Sequence, residues 1–258
     1  VQACPFPTAV LSNQTGYETY FCEDLTRQMT PYMEQWKKRG FIPDGIYTGF
    51  LSDEKQADKI LKFMDLFAGE ETLILTDPVM GDDGEVYPIY TEGLRSRFRE
   101  LVSRSYVITP NLTEALLLLY GKEEMEKKWK VLETMPEAER LEKIQEIGQR
   151  LVLEFSLSAV VITGVSYREN SQTPKMGNLV LEKEKVSWVF AEKSGGSYSG
   201  TGDLFASVLS AGLVKGYSME TCAHMAVEFI STSIRDAVSE GTDRNDGVCF
   251  EAHLGMLL

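Results

Sequence analysis

The sequence has 258 residues, and its 26 Lys and Arg against 39 Asp and Glu give a formal net charge of −13. The 43% hydrophobic and 25% charged residues are ordinary globular values, which exclude a disordered or fibrous chain. The acidic balance argues against a general binder of nucleic acid or anionic membrane, because both surfaces would repel it. The four cysteines have no CxxC spacing and indicate reduced thiols of a cytoplasmic protein. The length suits one domain, and we expect residues 1–258 to form it.

Short apolar runs alternate with amphipathic helical patterns along most of the chain. The predicted strands are 8–11, 44–50, 72–75, 106–108 and 159–162. The predicted helices are 24–39, 91–101, 112–120, 137–155, 202–215 and 219–238, and a further helix is predicted to begin at an N-cap on Ser52. The charge-rich stretch 121–146 is predicted to form a solvated helical face. This alternation predicts an α/β fold whose central, mostly parallel sheet is covered by helices on both faces.

The segment 178–190 has a different pattern. Two apolar runs flank the charged residues Glu182–Lys185, which predicts a small antiparallel hairpin.

A Gly-rich segment, Ser194 to Ala206, is the first candidate site. Glycines let the backbone approach a ligand, and the free N–H groups at a helix start bind anions. Asp203 lies where it could accept a proton from a hydroxyl group, while the amides of Gly200 to Gly202 hold developing phosphate charge. The alternative is that Asp203 only caps a helix behind a flexible loop.

Acidic residues follow a predicted strand in the second candidate site, Thr76 to Tyr87. Asp77, Asp82 and Asp83 lie within seven residues there and offer the oxygen ligands that Mg²⁺ takes. A polar turn is the alternative, because Asp-Pro and Asp-Gly are strong turn formers.

The third and fourth candidate sites also follow predicted strands. Asn111 and Glu114 have the spacing of a capping box, which by itself explains both residues structurally. Thr163 and Gly164 offer a hydroxyl group and a backbone on which a phosphate could rest.

These segments point to one kind of chemistry when they are taken together. A doubly wound sheet binds ligands at the carboxyl ends of its strands, and all four segments follow strands. Carboxylates, hydroxyls and Gly-rich amides suit phosphoryl transfer better than a catalytic triad. The sequence contains neither GxxxxGK[ST] nor GxGxxG, which leaves an ATP-dependent kinase without a Walker motif.

The chain resembles the ribokinase superfamily and, within it, the vitamin B6 (pyridoxal/pyridoxine) kinases. The resemblance covers nearly the whole chain in the family's order and rests on Ser12–Tyr17, Tyr47–Phe50, Asp77–Asp82, Ile108–Glu114, Val161–Gly164 and Gly200–Ala206. It implies a ribokinase-like fold, a homodimer, and transfer of the ATP γ-phosphate to the 5′-hydroxymethyl group of pyridoxal, pyridoxine or pyridoxamine.

The resemblance also implies a role for individual residues. It implies that Asp203 is the base and that Gly200, Thr201 and Gly202 form the anion hole. Mg²⁺ would be bound by Asp77 and Glu114, and a monovalent cation such as K⁺ would lie at Thr109. The nucleotide phosphates would be faced by Asp82, Asn111 and Thr163, under a loop that carries Tyr87, and the pyridine ring would be contacted by Gln14, Thr15 and Phe50.

Two departures from the family pattern leave other functions open. Gln14 stands where these kinases often have His, and Phe50 stands where many have Tyr. The nearest alternative is therefore a hydroxymethylpyrimidine (phosphate) kinase, and a non-catalytic nucleotide or vitamer binder is the third hypothesis. The resemblance further predicts one βα unit of about 30 residues before the position of Val1.

Overall fold

The computed structural model describes residues 1–168, 173–183 and 185–258. In these residues ten strands, β1 to β10, have the bounds Ala9–Leu11, Cys22–Asp24, Gly45–Thr48, Leu73–Thr76, Gly81–Asp82, Glu85–Val86, Val107–Ile108, Ala159–Tyr167, Lys175–Glu182 and Lys185–Glu192. Eight α-helices in the same residues, α1 to α8, have the bounds Thr26–Lys38, Glu54–Phe67, Glu92–Val102, Leu112–Tyr120, Lys122–Thr134, Glu137–Phe155, Thr201–Val214 and Met219–Glu240. Two 3-10 helices, Arg244–Asp246 and Glu251–Leu257, follow α8.

Six strands form the central sheet in the order β10-β9-β8-β7-β4-β3. The strands β3, β4, β7 and β8 are parallel neighbours, and β9 and β10 extend the sheet in antiparallel fashion. The predicted α/β fold with a mostly parallel sheet and a small antiparallel hairpin is confirmed. One residue of the predicted hairpin turn, Glu184, lies outside the described residues.

The apolar run in β8 shows why the sheet is covered on both faces. Val160 and Ile162 are fully buried in the core shared with α2 to α6, while Ala159 and Val161 are fully buried against α7 and α8. Successive side chains of a strand point to opposite faces, so a strand between two helical layers needs apolar residues at every position.

Two small ribbons stand apart from the central sheet. The predicted strand at 8–11 is present as β1, but it pairs with β2 in a separate antiparallel ribbon. A second ribbon, β5 with β6, follows β4 and lies over the start of α4.

The predicted N-cap of α2 is wrong by one residue. The side chain of Asp53, not of Ser52, accepts a hydrogen bond from the backbone N–H of Gln56, at 2.9 Å. The Ser52 hydroxyl instead donates to the carboxylate of Asp24, at 3.1 Å. Both residues can cap a helix, and the tertiary contact with Asp24 decides between them.

One further finding concerns the helices. None of those in the described ranges combines the length and the hydropathy that crossing a bilayer requires.

Candidate active site

The candidate active site lies at the carboxyl ends of the parallel strands. Three backbone hydrogen bonds continue the strand pairing there: the N–H of Asp77 donates to Thr48 at 2.8 Å, that of Thr109 to Thr76 at 3.2 Å, and that of Thr163 to Pro110 at 2.9 Å. The loops after β3, β4 and β7 therefore start side by side, as the strand-end rule predicts. Thr163 and Gly164 were predicted to follow β8, but they lie within it, at an irregularity in the pairing between Ile162 and Val165.

The Glu114 side chain is held by backbone donors at the start of α4. One carboxylate oxygen accepts from the N–H of Asn111 at 2.9 Å and the other from the N–H of Met80 at 3.1 Å. The Asn111 side chain accepts in return from the N–H of Glu114 at 2.9 Å, so the predicted capping box is confirmed. The same box joins α4 to the loop after β4, which the sequence pattern did not indicate.

A second buried carboxylate, Asp77, lies close to Glu114. Its side chain accepts from the Thr109 hydroxyl at 3.2 Å and is 8% exposed. Burial and the negative charge of Asp203 raise the pKa of Asp77 to about 7. Burial and the charge of Asp77 raise the pKa of Glu114 well above its ordinary value. The two carboxylates therefore lie near enough to repel each other in a poorly hydrated place.

The charge around this acidic pair is unbalanced. Within the described residues neither Asp77 nor Glu114 forms an ion pair with Lys, Arg or His. Buried charges are normally paired or bound to a metal, so this donor set fits a divalent cation that carries water ligands. A group of three or more His, Cys, Asp or Glu side chains at ligating distance is not found among the described residues. Water or phosphate oxygens would have to complete the shell.

The N-terminus of α7 carries Asp203 in its first turn. Gly200 is the N-cap and has a φ of 80°, in the left-handed region that favours glycine. The N–H groups of Thr201, Gly202 and Asp203 belong to a first turn, where no preceding helical carbonyl can accept from them. The Thr201 hydroxyl donates to the carbonyl of Tyr198 at 3.1 Å.

Asp203 receives a hydrogen bond that the sequence analysis missed. The Tyr47 hydroxyl, at the end of β3, donates to the Asp203 carboxylate at 3.3 Å. Desolvation raises the pKa of Asp203, and this hydrogen bond opposes the rise. Burial and the charges of Asp77 and Asp203 raise the pKa of Tyr47, so Tyr47 stays protonated and able to donate. Its place at a strand end is the signal that could have revealed it.

Two more predicted residues, Tyr87 and Asn111, are associated with the β5–β6 ribbon. Burial and the charges of Asp82, Glu114 and Asp77 raise the pKa of Tyr87, the residue directly after β6. The Asn111 side-chain amide donates to the carbonyl of Gly81 at 2.8 Å and so ties the ribbon to α4.

The pKa of Asp82 also responds to a basic residue that sequence reasoning missed. Burial and the charge of Asp83 raise the pKa of Asp82, and the nearby positive charge of Arg244 opposes the rise. Arg244 belongs to the 3-10 helix after α8, and the sequence contains no local signal that relates it to the loop after β4.

The residues predicted to bind the pyridine ring, Gln14, Thr15 and Phe50, have fewer contacts with the other site residues. The N–H of Tyr17 donates to the Gln14 carbonyl at 3.2 Å, and the Gln14 side chain accepts from the N–H of Gly16, so residues 14–17 form a tight turn. No hydrogen bond within the described residues joins Gln14 or Thr15 to Asp203. Phe50 follows β3 with 38% of its surface exposed.

The fold and these side chains define a phosphoryl-transfer enzyme of the ribokinase-like class. Acidic groups at the strand ends face a helix N-terminus that has a carboxylate in its first turn. The chain belongs to the phosphomethylpyrimidine kinase family, whose sequence model matches residues 35–247.

Individual relatives extend this comparison. The pyridoxine/pyridoxal/pyridoxamine kinase of Bordetella avium is 26% identical over 230 residues, which are 87% of this chain and 72% of that protein. A Bacteroides thetaiotaomicron protein described as a phosphomethylpyrimidine kinase, crystallised with pyridoxal, superposes with a TM-score of 0.85 at 30% identity, covering 99% of this chain and 85% of that one. The pyridoxal kinase of Leishmania donovani in complex with ADP superposes with a TM-score of 0.74 at 20% identity, over 97% and 84% of the two chains.

Proposed function

We propose that this protein transfers the γ-phosphate of ATP to the 5′-hydroxymethyl group of pyridoxal, pyridoxine or pyridoxamine. The observation that carries the proposal is the Asp203 carboxylate, which lies in the first turn of α7 with a raised pKa and a hydrogen bond from Tyr47. The vitamer in the crystal of the Bacteroides relative and the name of the Bordetella relative support the substrate class.

The proposed reaction uses Asp203 as general base. Its carboxylate accepts the proton of the acceptor hydroxyl as that oxygen bonds to the γ-phosphorus, and the bond from phosphorus to the bridging oxygen of ADP breaks. The N–H groups of Gly200, Thr201 and Gly202 are proposed to hold the negative charge on the transferring phosphoryl group. A base with a raised pKa holds the proton more firmly, which suits this step at neutral pH.

The acidic pair is proposed to serve a cation. Asp77 and Glu114 would hold Mg²⁺, directly or through water, and Thr109 would lie at a monovalent cation such as K⁺. When bound, Mg²⁺ supplies positive charge that neutralises the phosphate oxygens. This assignment accounts for two buried carboxylates that otherwise repel each other.

The remaining predicted residues are proposed to surround the substrates. Asp82, Asn111 and Thr163 would face the nucleotide phosphates, with Tyr87 over them, while Gln14, Thr15 and Phe50 would contact the pyridine ring. Because Asn111 already bonds to Glu114 and to Gly81, its main contribution would be to position the ribbon.

The deciding experiment incubates the full chain with Mg-ATP and pyridoxal and follows pyridoxal 5′-phosphate and ADP together. Parallel measurements of kcat/KM for pyridoxal and hydroxymethylpyrimidine separate the proposal from its nearest alternative, which the family name favours. A larger kcat/KM for the pyrimidine would overturn the proposal. Calorimetric binding of pyridoxal without ADP formation would instead indicate a non-catalytic binder.

The first turn of α7 offers a test of the anion hole that does not disturb the fold. A Cβ added at Gly202 meets no protein atom within 4 Å, so Gly202→Ala is expected to leave the free energy of unfolding unchanged or raise it by about 0.5 kcal/mol. The methyl group would lie at the open side of the amides, and kcat/KM for ATP is expected to fall about 10- to 100-fold. Thermal unfolding and steady-state kinetics measure both effects, with the exposed Ser207→Ala in the same helix as the matched control. Unchanged kinetics would argue against the anion hole.

We further propose that the protein works as a homodimer and that residues 1–258 act as one kinase domain. Val10 in β1 and Phe21, directly before β2, expose apolar side chains, 57% and 65% exposed, which suits contact with a second copy. Phe21→Glu is expected to shift the molecular mass measured by sedimentation equilibrium from dimer toward monomer. A mass that is the same for both proteins would contradict this interface.

The cytoplasmic location that the cysteines indicate stays a prediction.

A further inference from the structure

The turn that follows α8 contacts two separate loops of the candidate site. We call residues 243–247 the C-terminal turn and residues 14–17 the acceptor turn. The carbonyl of Arg244 accepts from the N–H of Ser199 at 3.0 Å, directly before the N-cap of α7. The side chain of Asn245 donates to the carbonyl of Gly16 at 3.4 Å, and the Tyr17 hydroxyl donates to the carboxylate of Asp246. The C-terminal turn thus joins the acceptor turn to the loop that carries the anion hole.

The C-terminal turn is itself held by short-range bonds. The Asp243 side chain accepts from the N–H of Asn245 at 2.8 Å, and the Asp243 carbonyl accepts from the N–H of Asp246 at 3.0 Å. The N–H of Thr242 donates to the Ala237 carbonyl at 2.9 Å and so fastens the start of the turn to the end of α8. Because these bonds hold the C-terminal turn in one conformation, a displacement of the acceptor turn can displace the loop before α7, and the reverse.

A glycine lies at or beside each of its two contacts. A Cβ added at Gly16 would lie 2.5 Å from the Asn245 side-chain oxygen. A Cβ added at Gly247, which has a φ of 85°, would lie 3.4 Å from the Ser199 carbonyl. Glycines therefore stand where the C-terminal turn meets each loop.

The pairing of Tyr17 with Asp246 also changes the pKa of Tyr17. The hydrogen bond to Asp246 is the main cause that raises the pKa of Tyr17 to about 12, so the hydroxyl keeps its proton and donates across the whole range in which enzymes are assayed. The positive charge of Arg244, in the same turn, lowers the pKa of Asp82.

We propose that the C-terminal turn sets the position of the acceptor turn relative to the N-terminus of α7, with Tyr17 and Asp246 as positioning residues for the acceptor alcohol. The inference rests on the proposed function. Within the described residues the acceptor turn has no hydrogen bond to Asp203, and the bonded route between them runs through Asn245, Arg244 and Ser199. A displacement of about 1 Å in an acceptor can cost a factor of 10², so this route matters for the reaction.

The kinetic test uses Tyr17→Phe, Asp246→Ala, which leaves no side-chain acceptor for the Tyr17 hydroxyl, and the double variant. Each single change is expected to raise KM for pyridoxal about tenfold and to leave KM for ATP within about twofold, because the lost hydrogen bond joins only the acceptor side. The double variant is expected to match the single ones, since both remove the same bond. Matched controls are Tyr20→Phe in the same loop and Glu251→Gln after the same helix, both exposed positions.

Two kinetic outcomes would overturn the proposal. One is an equal rise of KM for both substrates, which would indicate a general structural role. The other is an additive effect of the two substitutions, which would mean that Tyr17 and Asp246 act independently.

A measurement without turnover separates this proposal from the proposed function. Hydrogen exchange followed by mass spectrometry is expected to show faster exchange in Tyr17→Phe at residues 12–17 and also at residues 198–203, with unchanged exchange in α4 and α6. If the wild-type protein does not phosphorylate pyridoxal, the proposed function fails while this coupled exchange still supports the positioning role. Faster exchange confined to residues 12–17 would refute it.

Discussion

Replacing Asp203 by asparagine is expected to lower kcat for pyridoxal phosphorylation by about 10³-fold, because a positioned general base contributes about 10²- to 10⁴-fold. Asparagine keeps the shape of the side chain and can still accept the hydrogen bond from Tyr47, but it cannot take a proton. The fold is expected to stay intact, since Asp203 is an exposed residue and asparagine has nearly the same shape. Steady-state kinetics and thermal unfolding measure the two effects, with the exposed Glu228→Gln as control.

The companion variant Tyr47→Phe tests the same site through pH. The hydrogen bond from Tyr47 lowers the pKa of Asp203, so its removal raises that pKa further. A base must be deprotonated to act, and the acidic limb of the kcat/KM profile is therefore expected to move to higher pH. Asp203→Asn with more than a tenth of wild-type kcat, or a Tyr47→Phe profile that does not move, would remove Asp203 from the role of base.

Replacing Asp77 by asparagine is expected to stabilise the metal-free protein at pH 8 while it lowers Mg²⁺-dependent activity. The pKa of Asp77 is about 7 in the folded protein and near 4 in the unfolded chain, so the folded state binds the proton more tightly. Stability is therefore lost as pH rises from about 4 to 7, and the full cost remains above pH 7. The neutral side chain of asparagine avoids that cost, which we estimate at about 2 kcal/mol after allowing for relaxation around the group.

The thermal midpoint measured as a function of pH, with and without Mg²⁺, checks this prediction. Wild-type protein at pH 8 is expected to gain stability when Mg²⁺ is added, because a ligand that binds only the folded state stabilises it. The Asp77→Asn variant is expected to gain less, and its midpoint is expected to vary less between pH 5 and 8. The exposed Asp44→Asn is the matched control. A variant that is less stable than wild type at pH 8, yet equally responsive to Mg²⁺, would contradict the assignment of a cation to this pair.

The local elements were predictable because their signals are local. Continuous apolar residues in Ala159–Ile162 predict a strand that is buried on both faces, and β8 begins there and has that burial. The spacing of Asn111 and Glu114 predicts the capping box that the structure contains. Both features depend on backbone hydrogen bonds and side-chain periods within a few residues, which the order of amino acids alone specifies.

The parts of the site that join distant segments were not predictable in the same way. The order of amino acids was enough to place Asp77 after a strand, Glu114 in the first turn of α4 and Asp203 in the first turn of α7. The hydrogen bond from Tyr47 to Asp203, and the contacts of the C-terminal turn with Gly16 and Ser199, arise only when the chain packs. Such contacts depend on how helices pack on the two faces of the sheet, and no local pattern encodes the distance between segments that packing brings together.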